Sequence, residues 1–179
     1  DGGFVVVWES EEQDYDVGNQ GFYDSIFGQR FDSYGDRVDD EFLVSTRPTS
    51  TYYDDEQPAV AALADGGFVV GWASYQLYTE YDVFARVFDD QGDAIGDEFQ
   101  VNLNNGVPYN YYASDYTYQQ DIQLAALNDG GFVAVWESEE QDGDYNGVFG
   151  QRFDVFGDTV GGEFQVNSGA SVHVRANTT

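Results

Sequence analysis

The sequence contains no cysteine and no methionine, and its only strongly basic side chains are six arginines, because lysine is absent too. Without cysteine there is no disulfide framework and no thiolate metal site. Lacking both oxidisable residues, the chain suits an extracellular setting. The shortage of positive charge is more informative. Against those six arginines stand 34 Asp and Glu, a formal net charge of −28. Such a chain repels phosphate backbones and anionic bilayers, which excludes nucleic acid and membrane surfaces as partners. No run approaches the roughly 18 apolar residues of a membrane span, and no charged-then-apolar targeting segment is present. The first residue is Asp rather than Met, which predicts a processed product or a piece of something longer.

What the chain does have is aromatic mass. Its 14 Phe, 14 Tyr and 3 Trp separate it from acidic disordered sequences, which cannot bury enough surface to fold. At 179 residues it is long enough for one domain or a short array with a real core.

The aromatics recur. "DGGFVVVW", "DGGFVVGW" and "DGGFVAVW" begin at Asp1, Asp65 and Asp129, and Trp8, Trp72 and Trp136 keep the same step of 64. Downstream lie "IFGQRFD" (Ile26–Asp32), "VFARVFD" (Val83–Asp89) and "VFGQRFD" (Val148–Asp154), each followed by a Gly-Asp turn and an "EF-x-V" segment. This is one supersecondary unit used three times: 1–64, 65–128 and 129–179. Each unit reads as β. Phe4, Val6 and Trp8 alternate with Val5 and Val7, so both faces of that strand are apolar. "FGQRFD" places Phe27 and Phe31 on one face and Arg30 on the other. The glycine of "DSYGD", "DDQGD" and "DVFGD" supplies the positive φ of a tight hairpin. A further strand precedes DGGF at Gln57–Ala64 and Asp121–Asn128. The expected fold is all-β: three four-stranded antiparallel meanders, resembling propeller blades, in a linear, fibre-like array.

The first unit lacks its own preceding strand, and the last ends in a spare alternating segment at 171–179, "SVHVRANTT". Three arrangements follow. The tail closes the array within the chain, completes the first unit of another molecule, or is one part of a longer tandem array. Closed propellers usually have about 4 to 8 blades, so a linear assembly is the expectation.

The line Asp1–Trp8, Val148–Asp154 and Val160–Asn167 ("DGGFVVVW…VFGQRFD…VGGEFQVN") resembles repeat modules of very large secreted and surface-anchored bacterial proteins. Those modules often accompany RTX-type calcium-binding repeats and cadherin-like modules. The resemblance covers nearly the whole chain outside the variable loops and the last nine residues. It implies an extracellular location, multiplicity and a structural or adhesive role. The Gly-Gly-x-Gly-x-Asp nonapeptides of RTX rolls are missing, so their sites map onto no residue here.

Candidate sites lie in the loops that differ between units. Asp142, Asp144 and Asn146, followed by Gly147, match the first half of an EF-hand-type loop, although Phe153 stands where the bidentate Glu belongs. Asp14, Asp16 and Asn19 are the counterparts in the first unit; the middle unit offers Glu80 and Asp82. These are candidate Ca²⁺ ligands, weighed against an ordinary solvated acidic loop. With one His and no Cys, zinc is disfavoured. Candidate glycan sites are Asn177, in the single Asn-x-Thr sequon, and Thr49, Ser50 and Thr51 beside Pro48. Tyr109, Tyr111, Tyr112, Tyr116 and Tyr118, with Tyr52 and Tyr53 in the counterpart loop, form either a sugar platform or a seam between units, and the seam is favoured. Trp8, Trp72 and Trp136 read as core. Arg30 and Arg152 are expected to pair with strand or turn acids such as Asp36 and Asp158.

Catalytic signatures are missing. There is no Gly-x-Ser-x-Gly, the lone His173 lies in the tail, and carboxylates are too abundant to single out a glycosidase pair. Asp and Trp stand seven positions apart, too far for a sialidase-type Asp box. The expectation is a structural protein of an extracellular fibre or stalk, not an enzyme. The rival is a calcium-dependent adhesin that binds surface glycans through its Tyr/Asp/Asn loops.

Overall fold

The computed structural model describes residues 2–10, 24–46, 53–76, 80–103, 118–139, 141 and 146–168. Among these the protein is all-β, with eleven strands in three antiparallel sheets. Sheet 1 has the order β1 (Phe4–Ser10), β2 (Ser25–Phe31), β3 (Arg37–Leu43). Sheet 2 has the order β4 (Tyr53–Ala62), β5 (Phe68–Gln76), β6 (Glu80–Phe88), β7 (Phe99–Gln100). Sheet 3 runs β8 (Gln119–Ala126), β9 (Phe132–Glu139), β10 (Asn146–Phe153), β11 (Thr159–Gln165). Each is an up-and-down meander. The strand preceding DGGF pairs with the strand that follows it, so β4 belongs to sheet 2 and β8 to sheet 3. The sheets are therefore offset from the sequence period of 64. Sheet 1 has no counterpart of β4 among the described residues.

The recurring motifs are turn chemistry. In DGG the first glycine takes positive φ: 84° at Gly2, 97° at Gly66 and 93° at Gly130. The second must lack a side chain for a different reason. A Cβ on Gly3, Gly67 or Gly131 would run into the carbonyl oxygen of Phe31, Phe88 or Phe153 on the neighbouring strand. In Asp-x-x-Gly-Asp the leading carboxylate caps the hairpin: Asp32 Oδ1 accepts from the backbone N–H of Tyr34 and Asp36 (2.8 and 2.9 Å). Asp89 and Asp154 repeat this with Gln91 and Asp93, and with Phe156 and Asp158. Beyond the last strand, Ser45, Asn102 and Asn167 accept from the N–H of Ile26, Val83 and Val148. A bulge interrupts β4 at Gln57 (φ 54°) and β8 at Asp121 (φ 55°), and Pro58 follows the first of them where no ladder bond is needed.

Every sheet is apolar on both sides, and the three stack in chain order. One face of each sheet, the leading face, carries a stacked Phe pair: Phe4 on Phe31 at 5.0 Å, Phe68 on Phe88 at 4.9 Å, Phe132 on Phe153 at 5.1 Å. Beside it lies the repeated tryptophan, near Phe27 in sheet 1 and Phe84 in sheet 2. The other, trailing face offers Ile26, Phe42 and Val44 in sheet 1 and Val83, Phe99 and Val101 in sheet 2. The trailing face of sheet 1 packs on the leading face of sheet 2, with Phe42 against Phe68 and Phe88. The trailing face of sheet 2 packs in the same way on sheet 3, with Phe99 against Phe153. Trp72 and Trp136 are fully buried in these seams, as expected of core. Trp8 is only half-buried; among the described residues no sheet packs on the leading face of sheet 1.

The collision at the second glycine makes a direct prediction. Gly131→Ala drives a methyl into backbone that cannot rotate away, and should cost about 2 kcal/mol or more in urea unfolding. Gly162→Ala, where a Cβ meets nothing within 4 Å, serves as the control and should change stability much less.

Candidate functional site

At the first seam the chain gathers carboxylates from two sheets. Asp24 immediately precedes β2, while Asp54 and Glu56 alternate along β4 and share a face. One carboxylate oxygen from each lies within 4.8 Å of the others. The backbone sets this geometry. Asp55 N–H donates to the Asp24 carbonyl (3.1 Å), and Asp24 N–H donates to Asp54 Oδ1 (3.0 Å). One position further, Gln57 N–H at the bulge donates to Glu9 Oε2 (3.2 Å). Asp55 faces the opposite way and is buried, accepting from Ser74 Oγ at 2.5 Å.

A tyrosine stack borders the acids. Tyr75, Tyr81 and Tyr118 have ring centroids 5.3 and 5.8 Å apart in succession, and Tyr81 Oη donates to Glu56 Oε1 at 3.3 Å. Burial, then the charge of Asp54, with smaller contributions from Glu9 and Asp24, holds the Glu56 carboxyl above its ordinary range; the Tyr81 hydrogen bond opposes this. Burial and the neighbouring Glu56 push the Tyr81 hydroxyl up to about 12, so it remains a donor at neutral pH. Three half-buried hard oxygen donors match the chemistry of Ca²⁺ and make up at most half of its usual 6–8 ligands. The second seam has no such cluster, because Tyr118 and Gln120 occupy the positions of Asp54 and Glu56 one period on.

The residues expected from sequence fall differently. Asn146 opens β10 and donates through Nδ2 to Glu137 Oε1 rather than into an open loop. Asp82 is buried and accepts from Asn102 Nδ2 at 2.8 Å; burial raises its pKa against the hydrogen bonds of Asn102 and Gln100. Tyr118 is in the stack, at the seam of β6 and β8. Asp142, Asp144, Asp14, Asp16, Asn19, Thr49, Ser50, Thr51, Asn177, Tyr109, Tyr111, Tyr112 and Tyr116 lie outside the described residues. The arginines pair with a turn acid and a strand acid: Arg152 with Asp129 at 2.9 Å and Arg30 with Asp39 of β3 at 3.3 Å, rather than with Asp158 and Asp36 in particular, whose turns are capped from within. The Asp24 cluster escaped sequence reading because its members are thirty positions apart. Its one signal is that "YDDEQ" is far more acidic than its counterpart "TYQQD".

The raised Glu56 pKa fixes the sign of a pH effect. The folded chain holds this proton more tightly than the unfolded one, so its ionisation destabilises the fold at neutral pH and protonation relieves that as pH falls. Glu56→Gln should therefore raise the thermal midpoint at about pH 7 and leave it nearly unchanged at about pH 4, where the wild-type carboxyl is itself largely protonated. Equal shifts at both pH values would contradict this origin.

No protein-family model matches the chain, and no curated protein matches it, so the roles assigned to these residues rest on the geometry alone.

Proposed function

We propose that the chain is a structural segment of an extracellular bacterial fibre or surface stalk, built by stacking β-meander repeats in a linear array. The observation that carries this reading is the repeated seam. The same trailing face meets the same leading face twice. Sheets 2 and 3 each begin with a strand, β4 or β8, that packs on the sheet before. A repeating seam of this kind transmits shape and load along a chain of units, and each unit contacts only its neighbours. The resemblance to modules of very large surface proteins agrees with that use. The acidic turns face water and keep neighbouring fibres apart by charge. In this reading the alternating segment 171–179 adds as a strand beside β1 of a neighbouring copy. Glycans on Thr49, Ser50, Thr51 or Asn177 would sit outside the stacked cores.

A second reading has one observation in its favour. The acidic cluster of Asp24, Asp54 and Glu56, flanked by tyrosines, suits a calcium-dependent adhesin that recognises surface glycans. Nothing in the described residues favours an enzyme over either of these.

The deciding measurement is immunogold electron microscopy of intact cells with antibody to this chain, followed by cryo-EM of the sheared material. Labelled filaments with an axial repeat of one sheet-to-sheet step are expected. Labelled but unstructured material that binds a glycan array and loses binding with chelator would overturn the structural reading in favour of the adhesin.

A further inference from the structure

We infer that the two uncovered faces at the ends of the stack are the halves of one interface, and that a second copy of this chain docks its sheet 1 onto sheet 3. The inference rests on the stacking reading above and names the partner and the contacts. Equivalent residues tell the two ends from the middle. On the leading face Phe4 is 51% exposed, whereas Phe68 and Phe132 are 4% and 0%. On the trailing face Val166 is 54% exposed, whereas Val44 and Val101 are 0% and 2%. Among the described residues, sheet 1 thus has no neighbouring sheet on the side where sheet 3 could provide one, and the reverse holds for sheet 3.

The internal seams specify how the copies fit. Phe42 and Phe99 each press onto the Phe pair of the next sheet, and their counterpart is Phe164, 43% exposed and lying over Gly150 as Phe42 lies over Gly28. Docking places Phe164 on Phe4 and Phe31 of the second copy. Glu98 accepts from Thr46 N–H at 2.6 Å, and Glu163 accepts from Leu103 N–H at 2.9 Å, both across a seam. The next members of that series are Ser168 N–H and Glu41, now in an exposed ion pair with Arg37. Arg30 reaches over the seam to the carbonyls of Asp90 and Gln91, gripping the hairpin turn of sheet 2. Its counterpart Arg152 would leave Asp129 for the carbonyls of Ser33 and Tyr34 in the second copy, where Tyr34 is 90% exposed. A single mating pair therefore has an aromatic contact, a carboxylate clamp and an arginine grip. Because the two faces differ, the contact is heterologous and propagates head to tail.

The test uses the complete 179-residue chain in sedimentation velocity over a concentration series, at an ionic strength high enough to screen its net charge. The wild type should form concentration-dependent oligomers. Phe4→Glu and Phe164→Glu, each on an exposed side chain, should both stay monomeric with unchanged thermal midpoints. Mixed in equal amounts, they should give dimers and nothing larger, since the mixture holds only one kind of intact pair. Arg152→Glu should weaken association by at least about tenfold. Oligomers from either Phe variant alone, or no effect of Arg152→Glu, would overturn the inference. A wild type that stays monomeric would overturn it too. If labelled fibres are nevertheless found on cells, the stalk reading survives, with further repeats of one polypeptide covering the two faces. Oligomers that follow this pattern from a protein never found at a surface would separate the two conclusions the other way.

Discussion

A β-sheet with apolar side chains on both faces is unstable alone, and every sheet in this protein is of that kind. Sheet 2 is the one sheet with a neighbour on each side, and its strands β5 and β6 are buried almost throughout. Burying a Phe or Val side chain is worth about 1.5–3 kcal/mol, and each seam gathers several from both sides. The stack is accordingly the unit of stability, and a lone meander is not. Other features depend on this arrangement. The turn glycines must be bare where the preceding sheet presses on them: a Cβ on Gly92 would strike Arg30, and one on Gly157 would strike Phe99. Gly35, in the same turn of sheet 1, meets nothing, because no sheet precedes it.

Much of this was legible in the sequence. The step of 64, the alternation around each tryptophan and the Gly-Asp turns lead to three antiparallel meanders, and those are the sheets observed. They were readable because they are local: period-two patterning and turn chemistry involve residues within about ten positions of each other. The particular partners of Arg30 and Arg152 were not. Asp36 and Asp158 sit in turns folded on their own backbone, so each guanidinium takes another acid, and Arg30 also reaches a turn nearly one period away. The cluster of Asp24, Asp54 and Glu56 was hidden for the same reason. It arises only where two sheets meet, and sequence spacing carries no record of which loop of one sheet abuts which strand of the next. The half-buried state of Trp8 is a third case. Its local sequence matches Trp72 and Trp136, and only the missing neighbour distinguishes it.

The net charge works against assembly, since copies carrying −28 each repel one another. Position resolves the conflict. Many of the acids lie on the exposed turns and edges, where they are screened within about 8 Å at physiological salt. Several also serve the backbone, as Asp32, Asp89 and Asp154 do in capping their hairpins. The seams are lined mainly by apolar side chains. Among the described residues Arg30 and Arg86 reach carbonyl oxygens across a seam: Arg30 those of Asp90 and Gln91, Arg86 that of Val44. Repulsion is thereby concentrated sideways, between parallel stacks, while attraction runs along the axis. A chain of this composition extends before it bundles.

The two seams are not identical, and their differences separate what stacking requires from what it tolerates. Where sheet 1 uses Arg30 to hold the next turn, sheet 2 has Val87 in that place, and the Phe99 ring packs on Gly157 instead. Where the first seam carries Asp54 and Glu56, the second carries Tyr118 and Gln120. In both comparisons a charged contact at the edge has been exchanged for an uncharged one, and the aromatic contact at the centre has been kept. The Phe pair and the Phe that presses on it recur at both seams; the ionic groups around them do not. An edge contact in water is worth little and can be replaced by several chemistries, whereas an empty space in an aromatic seam has no cheap substitute. Specific chemistry in a stack of this kind can therefore accumulate only at the rims, where the acidic cluster and the tyrosines are found, while the faces stay committed to holding the units together.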